Sequence, residues 1–76
     1  MSSFTAAIIV IGDEILSGRT QDTNSNFIAI NLLKEGIKLE EVVVIKDNKE
    51  TIIDKVLNYS KKYSYVFTTG GIGPTH

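Results

Sequence analysis

Six consecutive apolar residues, Ala6-Ala7-Ile8-Ile9-Val10-Ile11, constrain the fold more than any other stretch. A strand with one face in water alternates apolar and polar residues. A strand that is apolar at every position is covered on both faces, as in a parallel sheet held between helices. A buried helix could show the same run, but Gly12 ends it well short of helical length. The chain should therefore contain a parallel sheet with a helix layer on each side.

The rest of the chain supplies the other elements in alternation. Gln21-Asp22-Thr23-Asn24 offers several N-cap residues in succession, and a helix is predicted from about Asn24 to Glu35. On it Ile28, Ala29, Ile30, Leu32 and Leu33 fall on one broad arc, with Asn31, Lys34 and Glu35 opposite. Gly36 stands where a left-handed C-terminal cap belongs. Leu39 to Ile45 reads as a second strand. Asp47 and Glu50 have the spacing of a capping box for a second helix, on which Ile52, Ile53, Val56 and Leu57 recur at helical intervals. Lys61 and Lys62 suit its C-terminus. Tyr63 to Thr69 is the third strand. The order β-α-β-α-β argues an α/β fold, a three-layer α/β/α arrangement with a mainly parallel sheet and right-handed crossovers. A strand order of 2-1-3 would put one helix on each face. Two helices cannot cover both faces of three strands well, so residues 1-76 read as one unit, half of a larger α/β domain.

The third strand runs into Thr68-Thr69-Gly70-Gly71-Ile72-Gly73-Pro74-Thr75-His76. Glycine lets a backbone turn sharply and approach a ligand closely. Proline suits the first position of a helix, whose free N–H groups attract anions. Strand, glycine turn and helix start make a phosphate cradle, with Thr69, Gly70, Gly71, Gly73, Pro74 and Thr75 as candidate ligand contacts. The loop lacks the Gly-Lys-Ser/Thr ending of a P-loop and the spacing of the dinucleotide fingerprint.

Ligands of open parallel sheets bind beyond the carboxyl ends of the strands. Here those ends lead to Asp13 and Glu14, to Asp47, and to the glycine loop. Carboxylates facing a phosphate would repel it unless a divalent cation lay between them, and magnesium is commonly held by one or two carboxylates plus substrate phosphates. Asp13 and Glu14 are thus candidate metal ligands, and Asp13 and Asp47 candidate catalytic groups. Competing roles are a solvated acid pair for Asp13 and Glu14 and helix capping for Asp47. His76 reads as solvated, and Tyr59, Tyr63 and Tyr65 as packed with their hydroxyls toward water.

Other function classes are disfavoured. A net charge of -1 gives no general attraction to nucleic acid or to anionic membranes. With no cysteine and one histidine, disulfide frameworks are excluded and zinc sites disfavoured. The apolar run is far shorter than the roughly 20 residues of a membrane span and lacks the basic start of a signal peptide. A cytoplasmic location is the resulting expectation.

Three segments resemble the molybdopterin-binding domain family of molybdenum cofactor biosynthesis, in its competence/damage-inducible branch. They are Ile11-Gly12-Asp13-Glu14-Ile15-Leu16-Ser17-Gly18, Asp22-Thr23-Asn24-Ser25-Asn26, and Thr68 to Thr75. The resemblance implies a three-layer domain that assembles as a homo-oligomer, commonly a trimer. It implies a loop from Gly70 to Thr75 that receives phosphate, and a pocket lined by Asp13 and Asp47. The implied ligand is molybdopterin or an adenine nucleotide, used with Mg2+. The implied chemistry is nucleotidyl transfer or, in the competence-protein branch, metal-dependent cleavage of ADP-ribose-like or FAD-type pyrophosphates. A family domain continues with two acidic residues after the glycine loop, so the 76 residues alone are expected to be inactive, or to serve as an assembly partner.

Overall fold

The computed structural model of the chain describes residues 4–70. Its elements follow the expected alternation: β1 (Thr5–Ile11), a one-turn helix α1 (Asp13–Leu16), α2 (Asn24–Lys34), β2 (Lys38–Ile45), α3 (Lys49–Lys62) and β3 (Tyr65–Gly70). The strands form one parallel sheet in the order β2-β1-β3. The central place falls to β1 because it alone is apolar at every position from Ala6 onward. All of Ala6 to Ile11 is buried.

The first crossover runs from β1 out to β2 and the second from β2 back across β1 to β3, so the two run in opposite directions and handedness puts α2 and α3 on opposite faces. On the α3 face Ala7, Ile9 and Ile11 pack with Ile45 and Tyr59, joined by Val43, Ile52, Val56, Tyr63 and Val66. On the other face Ala6, Ile8 and Val10 lie beneath the α2 layer, where Leu32 is the buried helix residue. The broad apolar arc expected on α2 is only partly covered. Phe27, Ile30 and Leu33 are exposed, Leu33 at 78%. One helix over two strands can bury a single row of side chains, so an arc that wide must leave its margins in water.

The helix starts meet one expectation, at α2, and correct another, at α3. Asp22, one residue before the Thr23 cap position, accepts hydrogen bonds from the N–H groups of Asn24 and Ser25 and from the Ser25 hydroxyl. For α3 the cap is Asn48, not Asp47. Its Oδ1 accepts from the Thr51 N–H and hydroxyl, each at 3.0 Å. The helix starts one residue later than the Asp47–Glu50 spacing implied, and Asp47 is free of capping duty. At the end of α2, Ile37 donates to the Leu32 carbonyl and Gly36 to that of Leu33, the paired bonds of a Schellman turn.

The tyrosines also differ from expectation. The hydroxyls of Tyr59 and Tyr63 turn inward onto the carboxylate of Glu41 on β2, Tyr59 at 2.6 Å. Their rings meet edge to face at 5.5 Å, and Lys62 adds a 3.9 Å contact to Glu41. The Tyr59 and Tyr63 hydrogen bonds, in that order, hold the Glu41 carboxyl below its usual 4.5. Burial first, then Glu41, raises Tyr59 to about 12, and chiefly the bond to Glu41 raises Tyr63 to about 12.

The signs of these shifts set a pH window. A depressed carboxylate stabilises the fold above its unfolded value and loses that as pH falls through the folded one. A raised phenol stabilises the fold below about 10 and loses that as pH climbs toward about 12. Urea midpoints are therefore expected to drop on both flanks. Glu41→Gln should flatten the acid flank and blunt the alkaline one. Identical pH profiles for the variant and the parent would refute the network's contribution.

Candidate functional site

The register of the sheet aligns the candidate groups. Ile11, the last residue of β1, pairs with Ile45 at the end of β2 and with Gly70 at the end of β3. All three strands thus terminate at one level, and the loops that follow leave from a common edge. In doubly wound sheets with the order 2-1-3, the crevice opens at the switch point between β1 and β3.

Gly70 makes this edge tight. A Cβ built on it would lie 2.3 Å from the Ile11 carbonyl oxygen, and its φ of +81° belongs to the left-handed region. Only glycine satisfies both conditions, so the last turn of β3 presses directly on the end of β1. Thr69 precedes it, half-buried and paired with Val10. The other expected loop contacts, Gly71, Gly73, Pro74 and Thr75, lie outside the described residues, as does His76.

From β1 the chain enters Gly12, whose N–H donates to the Ile45 carbonyl at 3.0 Å. Asp13 and Glu14 then form the acidic first turn of α1. The Asp13 carboxylate accepts the backbone N–H of Asp47 at 3.3 Å. This contact joins residues 34 positions apart and ties the loops after β1 and β2 together. The Glu14 carboxylate folds back over Gly12, where a Cβ would meet its Oε2 at 2.9 Å. Asp13 and Asp47 are exposed and Glu14 is half-buried.

The structure brings Asp13, Glu14 and Asp47 to the edge at which Gly70 ends. Among the described residues no group of three His, Cys, Asp or Glu side chains converges as a protein-only metal site. The donors that are present, adjacent carboxylates on an exposed turn, suit a hard cation that takes its remaining oxygens from a ligand and water. Sequence reasoning missed the Asp13–Asp47 tie and the capping by Asn48. Only the second had a local signal, the three-residue spacing from Asn48 to Thr51.

Residues 7–76 match the family model described as "Probable molybdopterin binding domain". A probable FAD synthase of Caenorhabditis briggsae is 50% identical over 72 residues, covering 95% of this chain and 14% of that protein. A CinA-like protein of Flavobacterium psychrophilum is 46% identical over 70 residues, or 92% of this chain and 17% of its own length. The crystal structure of CinA from Thermoplasma acidophilum, described as of unknown function, superposes with a TM-score of 0.87 at 32% identity. That match covers 95% of this chain and 43% of the other. The chain thus spans only 14% and 17% of the length of these two curated relatives. No helix among the described residues is long and apolar enough to cross a membrane. A match along nearly the whole chain, on a sheet with the CinA strand arrangement, leads to one conclusion: the chain belongs to the probable molybdopterin binding domain family.

Proposed function

We propose that this domain binds a phosphate-bearing small molecule, an adenine nucleotide or molybdopterin, at the carboxyl edge of its sheet, together with a divalent cation. One observation carries the reading. Ile11 is paired with Ile45 on one side and with Gly70 on the other, so all three strands end level, with Asp13 and Asp47 following the first two and the glycine stretch of the sequence following the third. The FAD synthase names of the Caenorhabditis relatives support an adenine nucleotide, because FAD contains one. The family description supports molybdopterin.

In this reading main-chain N–H groups of the loop from Gly70 to Thr75 hold the phosphate oxygens and stabilise charge that develops on them. Asp13 and Glu14 hold the cation, with Mg2+ the best fit to carboxylate and phosphate oxygen donors. When bound, such an ion neutralises phosphate oxygens as charge develops. Asp13 also fixes the Asp47 backbone, which sets where the Asp47 carboxylate stands relative to the ligand. The chemistry would be nucleotidyl transfer or pyrophosphate cleavage. The FAD synthase relatives favour transfer. Assembly into a homo-oligomer and work in the cytoplasm complete the proposal.

Titration calorimetry with FAD, ADP-ribose, AMP and molybdopterin, with and without magnesium, tests it. The chain and a form extended to the length of its relatives should both be titrated. Binding that strengthens with magnesium is expected, and Asp13→Ala should weaken the magnesium-dependent part about tenfold, one charge-assisted contact being worth about 1.5–3 kcal/mol. Failure of both forms to bind any of the four would overturn the reading.

A further inference from the structure

The hydrophobic pattern of β1 and β2 does not by itself fix how the two strands pair. β1 is apolar on both faces from Ala6 to Ile11, and β2 ends in Val42-Val43-Val44-Ile45. In the observed register Val43 and Ile45 join Ile9 and Ile11 on the α3 face, while Val42 and Val44 stand beside Ile8 and Val10 on the α2 face. A slip by one residue turns an edge strand over and exchanges its two faces. Here the exchange would put Val42 and Val44 where Val43 and Ile45 stand, a difference of one methylene. Burial of these residues therefore hardly distinguishes the registers.

The ties at the carboxyl edge do not distinguish them either. Gly12 donates to the Ile45 carbonyl, and Asp13 accepts the Asp47 N–H. Each takes a backbone group from the β2 side, and any residue except proline supplies both kinds. Recognition of one register needs a side chain. Among the described residues, hydrogen bonds between side chains more than three positions apart in sequence run only from Tyr59 and Tyr63 to Glu41. Glu41 also sits at an irregularity of β2. Ala6 pairs with Leu39 and Ala7 with Glu41, so Glu40 is the extra residue of a β-bulge. The exposed Glu40 reaches Lys38 at 3.8 Å, and the strand beyond it delivers the Glu41 carboxylate to both phenols and to Lys62.

We infer that Glu41 is a positioning residue: its clamping by Tyr59 and Tyr63 selects the register of β2 and thereby sets Asp47 against Asp13. A slip by one residue would carry the carboxylate to the α2 face, away from both hydroxyls. A slip by two would keep the face but move the carboxylate roughly 6–7 Å along the strand. Either slip leaves two phenols without their acceptor. From Glu41 to Ile45 the pairing runs without a break, so the register chosen opposite Ala7 is the one that levels Ile45 with Ile11. Fixing register is the best-attested use of a polar group held within an apolar assembly. The link to ligand affinity rests on the reading of the carboxyl edge given above, whereas the register lock does not.

Two-dimensional NMR of the chain tests it, comparing the parent with Glu41→Leu and Glu41→Gln. The parent should give one set of amide signals, with nuclear Overhauser contacts between the paired Ile9 and Val43. Leucine fills the space without offering an acceptor. Glu41→Leu is therefore expected to keep the parent's circular dichroism spectrum but to split the signals of Val42 to Asp47 into two sets, the second with contacts shifted by one or two residues. Glu41→Gln retains an oxygen that accepts from the phenols and should give a single set. Calorimetry with ADP-ribose and magnesium reads the consequence at the site, where a native register populated by half should weaken binding about twofold. A single set of native contacts in Glu41→Leu would overturn the inference, as would two registers in the parent. Should Glu41→Leu not fold, the double variant Tyr59→Phe/Tyr63→Phe, which removes two hydroxyls and no carbon, is read by the same contacts with the same expectation. A parent that binds no ADP-ribose would count against the ligand-binding reading and leave the register result standing.

Discussion

Gly70→Ala is expected to lower stability and ligand affinity together. At φ +81° a residue with a Cβ costs about 1–2 kcal/mol, from the clash that disfavours left-handed backbone. A second cost is specific to this position. The new methyl would sit 2.3 Å from the Ile11 carbonyl oxygen, and that oxygen belongs to the buried central strand. Neither backbone can yield without breaking the Ile11–Gly70 pairing, so the combined penalty should reach about 3 kcal/mol. Gly36→Ala is the control. Gly36 has a similar φ of +76°, but a Cβ there meets nothing within 4 Å. Urea unfolding of both variants should show the same slope and a lower midpoint, with Gly70→Ala clearly the worse. Because β3 would have to draw back from β1, phosphate binding should fall with it. Equal midpoints for the two variants would mean that the close approach of β3 to Ile11 contributes nothing.

Ile9→Ala should come close to unfolding the chain. Ile9 is fully buried at the centre of the α3-face cluster, paired with Val43 and Thr68 and packed with Ala7, Ile11, Ile45 and Tyr59. Truncating such a side chain removes its transfer energy and leaves a cavity, at about 2–5 kcal/mol. A chain of this size has roughly 4–11 kcal/mol in total. Leu33→Ala, at 78% exposure on α2, should shift the midpoint hardly at all. A thermal melt of the two variants separates them. If Leu33→Ala proved as damaging as Ile9→Ala, the margin of α2 would be buried in a way that contradicts this packing.

Much of the architecture was readable without coordinates, because the signals are local and repeated. The uninterrupted apolar run required a strand covered on both sides, and β1 is that central strand. Gly36 ended α2 where a left-handed residue was needed, since a cap is decided by the few residues around it. The helix starts were less legible. Asp22, Thr23 and Asn24 all have capping side chains, as do Asp47 and Asn48, and only the path of the chain selects between neighbours of equal chemistry. The tyrosines misled for a related reason. Glu41 lies 18 and 22 residues from Tyr59 and Tyr63, and no periodicity connects a strand carboxylate to phenols on, and just past, the end of a helix that crosses it.

The candidate site divides in the same way. Composition and motif alone marked Asp13, Glu14, Asp47 and the glycine stretch as the chemistry-bearing residues, because each follows a strand and strand ends are where open sheets bind. Their arrangement was decided by tertiary structure. Which strands are neighbours, and in what register, follows from side-chain packing across the whole sheet. That packing puts Ile11 level with Ile45 and Gly70 and lets Asp13 take the Asp47 amide. Local sequence determines which elements form because hydrogen bonds and caps act over a few residues. Long-range burial determines how those elements meet, and so where the functional groups stand.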